Sequence, residues 1–96
     1  MEDFVLYSEL YDIYGELLTS KQKEYFEDYY FNNLSFSEMA DQYKVSRNAV
    51  FKQVHIVTDR LLEYERVLKL KEKREKIISL VKDNKLKEEI EEILYK

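Results

Sequence analysis

Polar, basic and aromatic side chains cluster in one short stretch near the middle of the chain. If this stretch is a helix, they share one side of it and supply hydrogen-bond donors, two positive charges and a ring: Ser46, Arg47, Asn48, Phe51, Lys52 and His55. Donors and cations contact phosphates and base edges, and a ring stacks on an unpaired base. These residues are the candidate nucleic-acid or partner-binding site. The alternative is an ordinary polar surface on a fold used for protein contact.

Phe51 is set apart from the other aromatic residues. The chain has nine tyrosines and five phenylalanines, and most of them fall on the inward stripes of the first three predicted helices. Core packing accounts for those rings better than base stacking does. Phe51 is the exception, because its sequence neighbours on the same helix face are polar.

Catalytic and metal chemistry find no support in the residue types. His55 is the only histidine, and cysteine is absent, so no cluster of histidine and cysteine ligands can form. The single glycine, Gly15, excludes a glycine-rich phosphate loop. A lone histidine without a nucleophile or an oxyanion-hole motif does not make an active site. We therefore expect a protein that is not an enzyme and that uses no cofactor and no metal.

Composition indicates an all-α protein. The 96 residues include one glycine and no proline. Tight turns between strands use both residue types, whereas helix interiors tolerate neither. The start of the chain lacks the basic residues of a signal peptide, and no apolar run is long enough to cross a membrane. We expect a cytoplasmic protein.

Charge is unevenly distributed along the chain. Residues 1–48 contain 4 basic and 10 acidic side chains, whereas residues 49–96 contain 12 basic and 10 acidic ones, for a total net charge of −4. An acidic first half disfavours binding of duplex DNA by charge alone.

Apolar spacing and capping motifs predict the helices. Spacing predicts a first helix over residues 2–18, with Gly15 inside it as a mild cost or as a point where another helix approaches closely. The capping boxes at 19–22 and 35–38 begin a second helix, to about Phe31, and a short third one that ends near Tyr43.

Residues 35–54 have the layout of a helix-turn-helix. Ala40 occupies the position at which the two helices touch, where a small side chain is needed. Lys44 and Val45 form the tight turn, with Lys44 where glycine is common and Val45 filling the angle between the helices. Ser46 caps the second helix, and Val50 faces the core.

The C-terminal part differs in character. Residues 71–76 read KEKREK, which predicts a solvated helix or arm, and Asp83 is a plausible cap for a last helix with one apolar stripe: Leu86, Ile90, Ile93 and Leu94. We divide the chain into a helix-turn-helix core domain at 1–70 and a helical C-terminal extension at 71–96. The extension either packs on the core or forms a homodimer.

Two families resemble the chain. Residues 18–65 are similar to the last DNA-binding region of bacterial sigma factors, with the elements LT…Q, S…E.A and S..AV in the same order. Over roughly residues 5–70 the chain resembles more specifically the YlxM family of small bacterial proteins. The matching positions are Leu18-Thr19, Gln22, Tyr29-Tyr30, Ser46-Arg47, Ala49-Val50 and Glu63-Tyr64-Glu65.

The resemblance implies both a fold and a function. The fold is an all-α helix-turn-helix of the sigma-factor region-4 type, within the winged-helix-like superfamily but without a wing. YlxM proteins are associated with the signal recognition particle, and the implied function is that of an accessory or regulatory protein. It would bind the particle's RNA, its protein GTPase or both through the helix-turn-helix. The alternatives are a transcription regulator that reads DNA as a dimer and a helical module that binds only protein.

Overall fold

Residues 3–95, which the computed structural model describes, are almost entirely helical and contain no strand. The α-helices are α1 (Phe4–Tyr14), α2 (Ser20–Tyr30), α3 (Phe36–Tyr43), α4 (Arg47–Leu68), α5 (Leu70–Leu80) and α6 (Asn84–Leu94). The predicted all-α class and helix-turn-helix layout are confirmed. Over the same residues, no helix has the length and hydropathy needed to span a membrane.

The first helix is shorter than predicted. It ends at Tyr14 and gives way to a 3-10 turn at Gly15–Leu17, while residue 2, its predicted start, lies outside the described residues. Gly15 is buried, and a Cβ added there would lie 3.3 Å from the ring of Tyr11. That ring stacks on Phe26 of α2, with centroids 4.3 Å apart. The group nearest to Gly15 is thus a side chain of the preceding helix α1, not another helix.

Both predicted capping boxes are confirmed. The Thr19 hydroxyl accepts a hydrogen bond from the Gln22 amide at 3.1 Å, and the Gln22 side chain accepts from the Thr19 amide at 2.9 Å. Ser35 and Glu38 exchange the same pair of bonds at 3.0 and 2.9 Å. These bonds satisfy amides that have no partner within their own helix, and they fix the starts of α2 and α3.

The tight turn between α3 and α4 also lies where predicted. Lys44 adopts the left-handed conformation with φ 57°, and the Lys44 and Val45 amides both donate to the Ala40 carbonyl. The predicted role of the Val45 side chain is wrong, because it is 42% exposed and fills no gap between the helices. Backbone hydrogen bonds close the turn, and Met39 and Val50 are buried in the core between these helices and their neighbours.

Helix α4 is the centre of the core. Its inward stripe is fully buried and packs against α1, α2 and α3: Val50, Val54, Val57 and Leu61. Leu10 and Phe26 are among the residues that complete the core from α1 and α2. Because three helices pack on one, the orientation of α4 is set along most of its length.

A hydrogen-bond network joins the end of α4 to the start of α5. The Tyr14 hydroxyl donates to the Glu65 carboxylate at 2.6 Å and accepts from the Leu70 amide at 3.1 Å. The same carboxylate accepts from the amides of Lys71 and Glu72 at 3.0 and 3.1 Å. Side chains from α1 and α4 therefore cap α5, which has no side-chain cap from its own N-cap residue.

The last two helices fold back along the molecule. Lys69 ends α4 in the left-handed conformation, and the Lys71 ammonium forms an ion pair with Glu9 of α1 at 3.3 Å. The Asp83 carboxylate accepts from the Lys85 and Leu86 amides, which confirms the predicted cap of the last helix. α6 contacts α5, and none of the residues of α5 and α6 is buried.

Ala40→Leu should destabilise the protein. Ala40 is buried where α3 meets α4, so a larger side chain forces the helices apart at a cost of about 1–3 kcal/mol. Urea unfolding measures the change. Asp41→Leu, at the exposed neighbouring position, is the control and should shift the free energy of unfolding by less than about 0.5 kcal/mol. Equal stability of the two variants would contradict the packing described here.

Glu65→Gln should change how stability depends on pH. Burial pushes the pKa of Glu65 up, but hydrogen bonds from Tyr14 and from the amides of Lys71 and Glu72 outweigh it and hold the pKa below the ordinary 4.5. The ionised carboxylate therefore stabilises the fold fully above pH 4.5, and this contribution is lost as the pH falls through the lower folded value.

The free energy of unfolding, followed from pH 7 into the acid range, checks this expectation. Wild type should exceed Glu65→Gln in stability at neutral pH, and the gap should narrow in acid. A difference in the free energy of unfolding that stays constant with pH would show that the charge of Glu65 does not contribute to stability.

Candidate nucleic-acid interface

The structure places the predicted site residues together on the surface at the start of α4. Ser46 is the N-cap, and its hydroxyl accepts from the Ala49 amide at 3.0 Å. All members are exposed and lie within the first turns of the helix: Ser46, Arg47, Asn48, Phe51, Lys52 and His55. We call this set the helix-turn-helix face. Capping fixes the direction in which it points, because the cap determines where the helix begins.

Phe51 has aromatic neighbours, which corrects the prediction that its surroundings on this face are polar. Its ring is 42% exposed and meets the Phe36 ring edge-on, with centroids 5.6 Å apart. The centre of the His55 ring lies 4.4 Å from that of the Phe51 ring. Phe36 stacks in turn on Tyr29 at 4.6 Å. A partly exposed aromatic surface thus continues from α2 through α3 to the helix-turn-helix face.

Sequence reasoning missed Phe36 as a member of this surface. Its helical spacing to Met39 and Ala40 puts it among the aromatic residues predicted for the inward stripes of the first three helices. Phe36 is the first residue of α3, however, and its ring is only partly buried. Residues in the first turn of a helix lie at the edge of a buried stripe, so its position beside the Ser35 cap was the available signal.

Positive charge on the face is limited. The Arg47 guanidinium lies 5.8 Å from the centre of the Phe36 ring. Lys52 is exposed and lies further along α4, and Lys44 is exposed in the tight turn between α3 and α4. The Lys21 ammonium lies 4.4 Å from the Tyr43 ring, at the side of α3 that faces α2. Tight binding of duplex DNA typically uses about 6–10 phosphate contacts. The face alone offers fewer cations than that.

An acidic side chain of α2 that lies beside α3 is already engaged. Asp28 of α2 accepts hydrogen bonds from the Gln42 amide group at 3.1 Å and from the Tyr43 hydroxyl. Burial, followed by this bond to Asp28, raises the pKa of Tyr43 far above its ordinary value, so the phenol stays a donor. The carboxylate therefore ties α2 to α3 and is a structural element beside the face.

The structure also has a cleft away from the helix-turn-helix face. A cleft of about 510 Å³ lies between α1, α5 and α6, is lined by residues that include Asp12, Arg74 and Ile93, and shares no residue with the helix-turn-helix face. Within residues 3–95 no group of histidine, cysteine, aspartate or glutamate side chains is arranged to hold a metal ion.

The fold and the face together define a helix-turn-helix protein: two helices at a tight turn, a small buried residue between them and a capped second helix with an exposed polar side. The family described as "Putative helix-turn-helix protein, YlxM / p13 like" (UPF0122) matches residues 1–96. The chain belongs to this family.

Relatives come from several bacterial groups. The chain is 44% identical to a UPF0122 protein of Ureaplasma urealyticum serovar 10 over 87 residues, which cover 88% of each chain. It is 38% identical to a UPF0122 protein of Fusobacterium nucleatum over 98 residues, covering 98% of this chain and 94% of the relative. A UPF0122 protein of Listeria welshimeri is 38% identical over 93 residues, with 88% and 84% covered. No solved structure matches the chain.

Lys44→Gly should stabilise the protein. The left-handed conformation is unfavourable for a residue with a Cβ, and glycine removes this cost. Glycine also loses more backbone entropy on folding, so the net increase in the free energy of unfolding is about 0.5–1 kcal/mol. Chemical denaturation gives the difference. Lys44→Ala is the matched control, since it removes the same charge but keeps the Cβ, and it should not stabilise. If both variants gained stability equally, charge and not backbone strain would be the cause.

Proposed function

We propose that this protein is a cytoplasmic accessory or regulatory protein of the signal recognition particle pathway. It binds the particle's RNA, its protein GTPase or both through the helix-turn-helix face, and it acts without catalysis or a cofactor. The pathway is inferred from the YlxM family resemblance. The observation that carries the proposal is the partly exposed Phe51 side chain, which contacts the Phe36 and His55 rings and has Arg47 and Lys52 near it on the same helix.

An RNA with unpaired bases suits this arrangement better than duplex DNA. The Phe51 ring is restrained by contacts with two other rings, so stacking on its exposed part costs little side-chain entropy. Such stacking needs a base that is not paired within a double helix. RNA loops and bulges offer bases of this kind. Arg47 and Lys52 then neutralise neighbouring phosphates, for which a few cations suffice.

The same face could also bind the GTPase, because exposed aromatic residues beside an arginine are typical anchors of protein interfaces. Phe51 would then fill an apolar pocket of the GTPase. The two uses of Phe51 differ in their salt dependence: binding of RNA by Arg47 and Lys52 weakens with salt, whereas burial of an aromatic ring does not depend strongly on it.

A transcription regulator that reads DNA is the second candidate. It is favoured by the exposed first turn of α4, from which Arg47 and Asn48 could reach base edges as a recognition helix does in the major groove. The small number of cations on the face argues against it, unless two copies bind together.

Phe51→Ala and Lys52→Ala test the proposal. Signal recognition particle RNA, its GTPase and a random duplex DNA are titrated against wild type and each variant at several salt concentrations. If the RNA binds, loss of the ring should cost about 1–3 kcal/mol for a stacked base, and Lys52→Ala should reduce the slope of log affinity against log salt by about 0.7. Tyr95→Ala and Lys82→Ala, exposed and outside the face, are the matched controls.

Each outcome separates the candidates. Loss of GTPase binding in Phe51→Ala, with RNA affinity unchanged, would assign the face to the protein partner. Tight, sequence-selective binding of duplex DNA would favour the transcription regulator. If RNA and GTPase bind and neither variant weakens them, the face is not the binding site.

A further inference from the structure

The last two helices expose an unusual amount of apolar surface. α5 and α6 contain no buried residue, and Leu80 and Ile93 are 80% and 79% exposed. Helices of eleven residues are marginal in water and need tertiary packing on an apolar stripe to be stable. The contacts of α5 with α1 cover only part of these stripes. A further surface is needed to cover the rest.

Two edges of this pair of helices have the same pattern. Residues 70–77 read LKEKREKI and residues 86–93 read LKEEIEEI. In each helix a leucine, a charged residue three positions later and an isoleucine seven positions later share one side. We define the α5 edge as Leu70, Lys73 and Ile77, and the α6 edge as Leu86, Glu89 and Ile93. The two edges have the same apolar residue types at the same spacing, and their central residues carry opposite charges.

Both edges keep apolar surface open to solvent within residues 3–95, and Ile93 of the α6 edge borders the cleft between α1, α5 and α6. The ion pairs of α5 join Lys71 to Glu9 and Glu75, and Lys76 to Glu72. The isoleucine at position 77 is 41% exposed, and Leu86 is 49% exposed. Each edge therefore has apolar surface that a second copy could cover.

We propose that these edges join two copies of this chain, with the α5 edge of each copy lying on the α6 edge of the other. A two-fold axis produces two identical contacts, since each copy supplies one basic and one acidic edge. Lys73 of one copy then lies beside Glu89 of the other, twice per dimer. The result is an arrangement of four helices in which Ile77 and Ile93 are buried.

Self-association explains the opposite charges better than an unrelated partner does. A different protein would have to match a basic edge and an acidic edge at once, whereas a second copy matches both by its own sequence. Apolar residues supply the driving force, and the charges select the pairing of unlike edges over like ones.

Sedimentation of the full chain tests the proposal. Wild type should be a dimer in the micromolar range, and Ile93→Glu should be monomeric. Its core of α1 to α4 should still unfold cooperatively, because the side chain it replaces is 79% exposed in the single chain. Lys73→Glu and Glu89→Lys, each examined alone, place like charges together at both contacts and should raise the dissociation constant about 10-fold or more.

Mixing the two charge-reversed chains gives the decisive measurement. In the mixed dimer both contacts again pair a glutamate with a lysine, so an equimolar mixture should dimerise about as tightly as wild type. Lys82→Glu, with the same change of net charge outside the edges, is the control and should remain a dimer. A monomeric wild type overturns the proposal, even if Ile93→Glu weakens binding of another protein. A dimer insensitive to Ile93→Glu and to both charge reversals overturns it as well.

Discussion

Burial of one apolar stripe along α4 holds the whole protein together. Three helices pack on this stripe, and its valines and Leu61 are fully buried. Core residues at close packing tolerate little change of volume, so α4 cannot shift without disturbing α1, α2 and α3 at once. The same helix carries the helix-turn-helix face near its start and joins the C-terminal helices at its end. Its length, 22 residues or about 33 Å, separates the two.

Two lysines in the left-handed conformation set the directions of the chain at both ends of α4. Lys44 turns the chain from α3 into α4, and Lys69 turns it from α4 into α5. Neither is glycine, so each turn carries a conformational cost that the neighbouring contacts must offset. At Lys44 the offset comes from Ala40 and the buried residues beside it. At Lys69 it comes from the network of Tyr14 and Glu65 with the first amides of α5.

Local signals in the sequence predicted the local features of the fold. Depletion of glycine and proline predicted the all-α class, and capping motifs predicted the starts of α2, α3 and α4 within a residue, since capping depends on neighbours three positions apart. Features that depend on distant residues were missed. Tyr14 and Glu65 are 51 positions apart, and nothing near either residue indicates their pairing. For the same reason the contact of Phe36 with Phe51 was not foreseen, although the six residues of the face were placed on one exposed side.

Charge connects the proposed dimer with the proposed function. One helix-turn-helix face offers Arg47 and Lys52, with Lys44 beside them, which is below the range of about 6–10 phosphate contacts that tight binding of nucleic acid typically uses. Two copies would double this number and bring it to the lower end of that range. The charge on a single face, in a chain of net charge −4, favours an RNA or a protein that also uses the Phe51 ring. Affinity of an isolated chain for duplex DNA is therefore limited by its charge, and in the proposed function the aromatic surface, together with the helix-turn-helix geometry, would supply the selectivity of this face.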